Sequence, residues 1–178
     1  MDVKSYIEAA RLRTLPLSIS GIIVGSFVAD PVKKKRILDG YNGLNYEWLK
    51  KYFVIEPHDT EMLENPKTYI IDKGGEILFA KTNNTIAGTV AIIKISDNYF
   101  ELAKMAVTEQ FQGKQIGKLL LEAVITYAQE HEIKTLMLES NRTLKAALHL
   151  YQKFGFQEVP TDPNSPYDRA DIKMELHL

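Results

Sequence analysis

The hydrophobic period of the chain changes once, between residues 107 and 116, and that change limits the fold more than any other feature. Before it, residues 76–81, 85–95 and 99–107 are β-branched and apolar runs. They are separated by 83-NN-84 and 96-SDN-98, both turn signals. This predicts three strands in an antiparallel meander, with Gly88 as a bulge. After it, residues 116–130 repeat at helical spacing, with Ile116, Leu120, Val124 and Tyr127 on one face. A short buried strand over 135–138 follows, then a second helix over 143–154 with Leu144, Ala147, Leu148 and Tyr151 on one face. Asn141 is placed to cap the start of that helix and Gly155 its end. Residues 156–159 and 172–176 read as closing strands. Ahead of the meander, 42–52 carries Leu44, Trp48, Leu49 and Tyr52 at helical spacing. Residues 56–65 read as a short helix, with Pro57 in its first turn and Pro66 just past its end. Strands first and strand–helix alternation later predict an α+β fold, a mixed and mostly antiparallel central sheet with helices on both faces.

Composition narrows the function classes. The net charge of −1 offers no global attraction for nucleic acid, and the only basic run is 33-KKKR-36. With no cysteine, disulfides, thiolate zinc sites and a cysteine nucleophile are excluded. A cysteine-free chain fits a reducing compartment, and the expected location is cytoplasmic. His58, His131, His149 and His177 show no metal-ligand spacing, so no metal is expected.

The uncharged run 14–29 supports three readings. A membrane span needs ~20 apolar residues, more than this run supplies. A signal peptide would place its cut at Ala29. A buried strand would use Ile22, Ile23, Val24, Phe27 and Val28. Residues 7-IEAARLRTLPLSISGIIVGSFVA-29 are also similar to the start of UbiA-type menaquinone prenyltransferases. That similarity stops near Ala29, and no aspartate-rich motif follows, so it does not imply prenyl transfer. Residues 1–38 are therefore divided from a domain over 39–178, as a strand, a membrane tether or a fusion remnant.

The stretch 110-QFQGKQIGKLLLEAV-124 has what a diphosphate needs. A helix N-terminus offers unpaired N–H groups and a positive dipole end, and glycines let backbone approach an anion. Lys114 and Lys118 add charge. A plain strand–turn–helix with a solvated lysine rim satisfies the same residues.

Taken together, 99-YFELAKMAVTEQFQGKQIGKLLLEAV-124 and 139-ESNRTLKAALHLYQKFGF-156 resemble the GNAT family of N-acetyltransferases, over roughly residue 42 to the C-terminus. The resemblance implies that Gln112, Gly113, Lys114, Gln115, Ile116, Gly117 and Lys118 cradle the pyrophosphate of acetyl-coenzyme A (acetyl-CoA). Gln115 stands where the family usually has a glycine; it suits the loop if its φ is negative. The resemblance further implies that the backbone of Met105, Ala106 and Val107 holds the pantetheine arm, with Asn141 beside it. Glu101 becomes the candidate base, with Glu139 as a second carboxylate, and Tyr151 the acid that serves the leaving sulfur. Arg142 and Lys145 lie where the adenine end would pass. For the acceptor, the early helices and last strands nominate Glu56, His58 and Asp59, and Tyr167 and Arg169. Carboxylates would suit an amine, and an arginine an acceptor with its own carboxylate. The expectation is an acetyl-CoA-dependent N-acetyltransferase acting on the amine of a small molecule or an amino acid. The alternative is a coenzyme A-binding sensor without catalysis, motivated by Gln115. A homodimer, common in the family, stays open, as does membrane association through residues 14–29.

Overall fold

The computed structural model describes residues 13–14, 22–26, 34–82 and 85–178, with backbone alone for 13–14, 22–26 and 34–37. Among these, eight strands form one sheet: β1 (Arg13–Thr14), β2 (Ile22–Ser26), β3 (Glu76–Thr82), β4 (Thr85–Ser96), β5 (Tyr99–Val107), β6 (Thr135–Ser140), β7 (Gln157–Val159) and β8 (Ile172–His177). Their order across the sheet is β1-β2-β3-β4-β5-β6-β8-β7. Every pairing is antiparallel except β5 with β6. Four helices flank it: α1 (Lys34–Tyr52), α2 (Pro57–Glu64), α3 (Ile116–Glu130) and α4 (Lys145–Lys153). The expected α+β architecture is the observed one.

The meander strands are buried on both faces, which is why they read as continuous apolar runs. Side chains alternate across the sheet. Leu78, Val90, Ile92, Phe100 and Leu102 join Ile116, Leu120, Leu121 and Val124 of α3 in one core. Ile77, Phe79, Ala91, Ile93 and Ala103 join Tyr41 and Leu49 of α1 and Met62 and Leu63 of α2 in the other. Each fully buried aliphatic side chain contributes ~1.5–3 kcal/mol relative to exposure. Gly88 sits where α3 presses on β4; a Cβ there would lie 3.0 Å from both Ile116 and Leu120. The expected bulge is one residue away: pairing steps from Ala80↔Gly88 to Lys81↔Ile86, which leaves Ala87 extra.

Several local expectations need correction. Helix α1 begins at Lys34, well before residue 42, so the anticipated division at 38/39 falls inside a continuous helix. A single π-type turn, Lys67–Ile71, follows Pro66 and was not legible in the sequence. Helix α4 begins at Lys145, with Leu144 in the cap position. Asn141 closes the preceding turn instead, accepting from Thr143 N at 3.0 Å and from Thr143 Oγ1. Residues 83–84, and most of the 7–29 stretch, lie outside the described residues. Within that stretch Ile22–Ser26 pairs with β3 from Ile22↔Thr82 to Ser26↔Leu78. Among the described residues no helix is long and apolar enough to cross a membrane.

Candidate active site

Strands β5 and β6 run side by side only from Tyr99↔Thr135 to Glu101↔Met137. Beyond that point β5 continues to Val107 and β6 to Ser140, and the two part. A bulge in β5 sharpens the divergence. Pairing with β4 steps from Ala91↔Ala103 to Thr89↔Ala106, so Lys104 and Met105 together face Val90. Lys104 adopts φ 52°, a left-handed conformation that costs a side-chain-bearing residue ~1–2 kcal/mol.

The gap opens into a cavity of about 1070 Å³. It is bordered by the β5 edge, the loop before α3, the inner side of α4, the end of α1 and the β7–β8 loop, and Lys51 in the last turn of α1 pairs with Glu109 just ahead of the α3 loop. Most expected site residues converge: Glu101, Met105, Val107, Asn141, Tyr151, Tyr167, Arg169 and the 112–118 loop without Lys114 line this cavity, whereas Glu56 and His58 do not. Lys114 has its Nζ 4.8 Å from the Phe111 ring centroid. Ala106 lies in the bordering strand but is buried in the sheet.

The loop before α3 adopts two left-handed residues, Gly113 at φ 74° and Gln115 at φ 62°. The condition of a negative φ at Gln115 is thus not met. The turn into α3 demands the left-handed conformation there, and glutamine adopts it at a strain cost. Space around the Gly113 Cα is open. A Cβ at Gly117 would sit 3.7 Å from Met105 Cε and 3.7 Å from Leu150 Cδ2, inside the groove between β5 and α4. The first N–H groups of α3 have no acceptor within the helix. An open loop, a helix N-terminus and a strand edge free of β6 fit a ligand with an anionic end and an extended amide arm, as coenzyme A has. Gln112 contributes differently from expectation: its Nε2 donates back to Val107 O at 3.1 Å and ties the loop to the strand end. Lys118 reaches Glu122 at 3.5 Å on the surface of α3.

Glu101 is 9% exposed and shares the sheet face of Ala103, toward α1 and α2. Burial pushes its carboxyl up to about 7; Lys104 opposes the rise and Glu139 adds to it. Glu139 accepts from Ser165 Oγ at 2.7 Å. Tyr151 is buried at 7% exposure, its ring centroid 5.9 Å from that of Phe156. Burial pushes its hydroxyl up to about 12. Asn141 Nδ2 donates to Arg169 O at 2.7 Å. With its Oδ1 holding Thr143, Asn141 secures two loops to each other while lining the cavity. Arg142 pairs with Glu158 outside the cavity.

Asp59, nominated from the sequence, has partners that the sequence did not reveal. Asp59 is fully buried on α2. It accepts from Lys104 Nζ at 2.6 Å and from both Arg169 Nη atoms at 2.8 Å. Burial alone would raise its carboxyl; the bonds from Arg169 and Lys104 outweigh that and hold it below the usual range. Arg169 also lies 3.0 Å from Glu56 Oε2. Its fork is engaged inside the protein, a correction to its expected use on an acceptor carboxylate. Lys104 Nζ reaches Tyr167 Oη at 3.2 Å, and the His58 ring meets the Tyr167 ring edge-on at 5.2 Å. Burial, with Lys104 nearby, lowers the His58 pKa and favours its neutral form. The available signal for Lys104 was a lysine inside the apolar strand 99-YFELAKMAV-107, three residues after Glu101.

Comparison with known proteins bears on this site. The model of the Acetyltransferase (GNAT) family matches residues 44–156. N-acetyltransferase 8 of Rattus norvegicus is 26% identical over 114 residues, which is 61% of this chain and 51% of that one. The chain thus spans about half the length of the curated relatives it matches. The solved acetyltransferase of the GNAT family from Staphylococcus aureus Mu50 superposes with a TM-score of 0.75 at 22% identity, covering 88% of this chain and 98% of that one. A GNAT family acetyltransferase from Elizabethkingia anophelis, solved with acetyl-CoA bound, has a TM-score of 0.54 at 26% identity, covering 70% and 92%.

Proposed function

The chain belongs to the GNAT family of acetyltransferases, and on that premise we propose that it moves the acetyl group of acetyl-CoA to the amine of a small molecule or amino acid. The observation that carries this reading is the parting of β5 from β6, with Glu101 and Tyr151 lining the cavity so formed. The free edge of Met105, Ala106 and Val107 holds the pantetheine arm by backbone hydrogen bonds. The Gln112–Lys118 loop holds the pyrophosphate, and Gly117 keeps the groove clear. Bound there, acetyl-CoA supplies a thioester carbonyl open to attack.

An amine with pKa near ~10.4 is almost wholly protonated at pH 7, so a base is required. Glu101 takes one proton from the ammonium; a carboxyl near 7 is about half ionised at neutral pH and can both accept and release it. The nitrogen then forms the C–N bond and the C–S bond breaks. Tyr151 serves the departing sulfur. Its hydroxyl, near 12, is less acidic than a thiol at ~8.5, so complete transfer is uphill by roughly 5 kcal/mol. Its contribution is therefore hydrogen-bond donation while the sulfur becomes negative. The proton that ends on the sulfur is balanced by the second proton leaving nitrogen, and Glu101 returns its own to solvent.

The alternative of a non-catalytic sensor rested on Gln115. The left-handed φ there lets glutamine take up the turn that a glycine would make, which weighs against that reading.

Thiol release from acetyl-CoA over a panel of amines tests the proposal, with Tyr151→Phe beside the wild type. Turnover that falls by about tenfold or more, with acetyl-CoA binding retained, is expected. Tight binding with no turnover on any acceptor would move the assignment to the sensor.

A further inference from the structure

The acceptor end of the cavity has a wall, a pair of carboxylates and a neutralised set of cations, and together they select a substrate class. The wall comes from the last turn of α1 and the residues after it. Trp48 lies 5.6 Å from Tyr52 and 5.4 Å from Phe53 between ring centroids, tilted by 44° and 43°. All three line the cavity, and so does Leu49. Tyr52 keeps 44% of its surface exposed; Lys51 Nζ stands 5.4 Å from its ring centroid and Arg169 Cζ 5.8 Å from that of Phe53, and the rest of this aromatic group presents apolar surface to the cavity. Tilted rings in this arrangement accept another flat apolar group against their faces and edges.

Two carboxylates, Glu101 and Glu139, line the same cavity. Both favour a cation, which an amine is until it loses its proton. Lys104 and Arg169 also border this end, and on count alone they could hold an acceptor carboxylate. They are already matched. Asp59 takes Lys104 at 2.6 Å and the Arg169 fork at 2.8 Å, and Glu56 stands 3.0 Å from Arg169. Two cations face two carboxylates, so the cluster is neutral as a whole. The other lysines on the cavity wall, Lys118, Lys145 and Lys153, belong to α3 and α4, at the coenzyme end. An α-carboxylate brought to Glu101 would meet like charge and, among the described residues lining this part of the cavity, no uncommitted cation.

We propose that the acceptor is a primary amine carrying an aromatic or bulky apolar group and no carboxylate beside the amine. This rests on the acetyltransferase reading and narrows it. The amine lies at Glu101, and its apolar body lies along Trp48, Tyr52 and Phe53. An amine with a short alkyl chain lacks the body, and an amino acid brings the unwanted charge.

Three probes separate these features: phenethylamine, phenylalanine and ethylamine, each assayed by thiol release from acetyl-CoA with the chain of 178 residues. Phenethylamine should exceed both others in kcat/KM by about tenfold or more. Tyr52→Ala changes a half-exposed wall residue, so the fold is kept. It should lower kcat/KM for phenethylamine by about fivefold, and by clearly more than it lowers that for ethylamine. A second readout needs no turnover. Trp48 is the only tryptophan of the chain, so its emission reports directly on the wall. It should respond saturably to phenethylamine and not to ethylamine. Turnover that favours phenylalanine overturns the exclusion of a carboxylate. Equal turnover of ethylamine and phenethylamine, or an unaffected Tyr52→Ala, overturns the apolar wall. Either result leaves the acetyltransferase reading intact. Absence of turnover with all three, and with the wider amine panel, overturns both.

Discussion

Asp59 Oδ1 lies 2.6 Å from Lys104 Nζ, and the two side chains are 0% and 5% exposed. This contact joins α2 to the bulge of β5 at the point where β5 leaves β6. The same carboxylate holds Arg169 of the β7–β8 loop, so one buried group on α2 ties two walls of the cavity together. The strain of Lys104 at φ 52° is maintained by these bonds.

Removing Asp59 should therefore cost more than removing either cation. Asp59→Ala leaves Lys104 and Arg169 facing each other without their shared anion, and a loss of about 3–5 kcal/mol is expected. Lys104→Met, which retains Arg169 as partner for Asp59, should cost less. Urea denaturation of both variants at neutral pH checks the ranking. Because the Asp59 carboxyl is held low, its contribution is present above the unfolded pKa and fades as pH falls through the folded one. The stability gap between wild type and Asp59→Ala should narrow in acid.

Glu101 behaves in the opposite sense. Its carboxyl is raised from 4.5 to about 7, chiefly by burial. The folded state prefers the protonated form, so stability from this group is full below the unfolded pKa and is lost as pH rises through about 7. Glu101→Gln should gain on the wild type between acid and pH 8 by up to about 3 kcal/mol. Chemical denaturation at the two pH values measures it. If Glu101 is the base, wild-type turnover also rises with pH through about 7 while the variant lacks that limb.

Gln115 holds a left-handed conformation without being glycine. Gln115→Gly should be neutral or stabilising by up to about 1 kcal/mol, and Gln115→Val destabilising by more than that. Thermal unfolding ranks the three. Acetyl-CoA affinity in Gln115→Gly should stay within about twofold of wild type, since the loop geometry is preserved.

Gly117 separates binding from folding. A Cβ at this position meets nothing in the chain closer than 3.7 Å, so Gly117→Val should fold normally. Its side chain enters the groove between Met105 and Leu150, and acetyl-CoA affinity should drop by about tenfold or more. Calorimetric titration decides; unchanged affinity would show that the arm does not pass here.

Strand β5 and helix α3 were legible to the residue, because both are written in short-range signals: an apolar run bounded by turn residues through 99–107 and a 3.6-residue repeat through 116–130. Gly155 was legible as the end of α4 for the same reason, and its φ is 93°. The start of α4 was misplaced by two residues because Asn141 has two competing uses. A helix cap is local, whereas its bond to Arg169 O spans 28 residues and depends on where the β7–β8 loop docks. The conformation of Gln115 was misjudged because residue preference disfavours it, while the turn into α3 requires it.

By itself the sequence determined the order of the elements from the meander onward, the α+β class and the glycine-bearing turn into α3, all set by interactions among residues near one another in the chain. The tertiary structure alone decided the state of the charges around Asp59. The Lys104–Asp59 and Arg169–Asp59 bonds cross 45 and 110 residues. Whether those charges are free or matched depends on how α2, the β5 bulge and the β7–β8 loop pack, because desolvation makes each buried charge seek whichever partner the packing brings within reach.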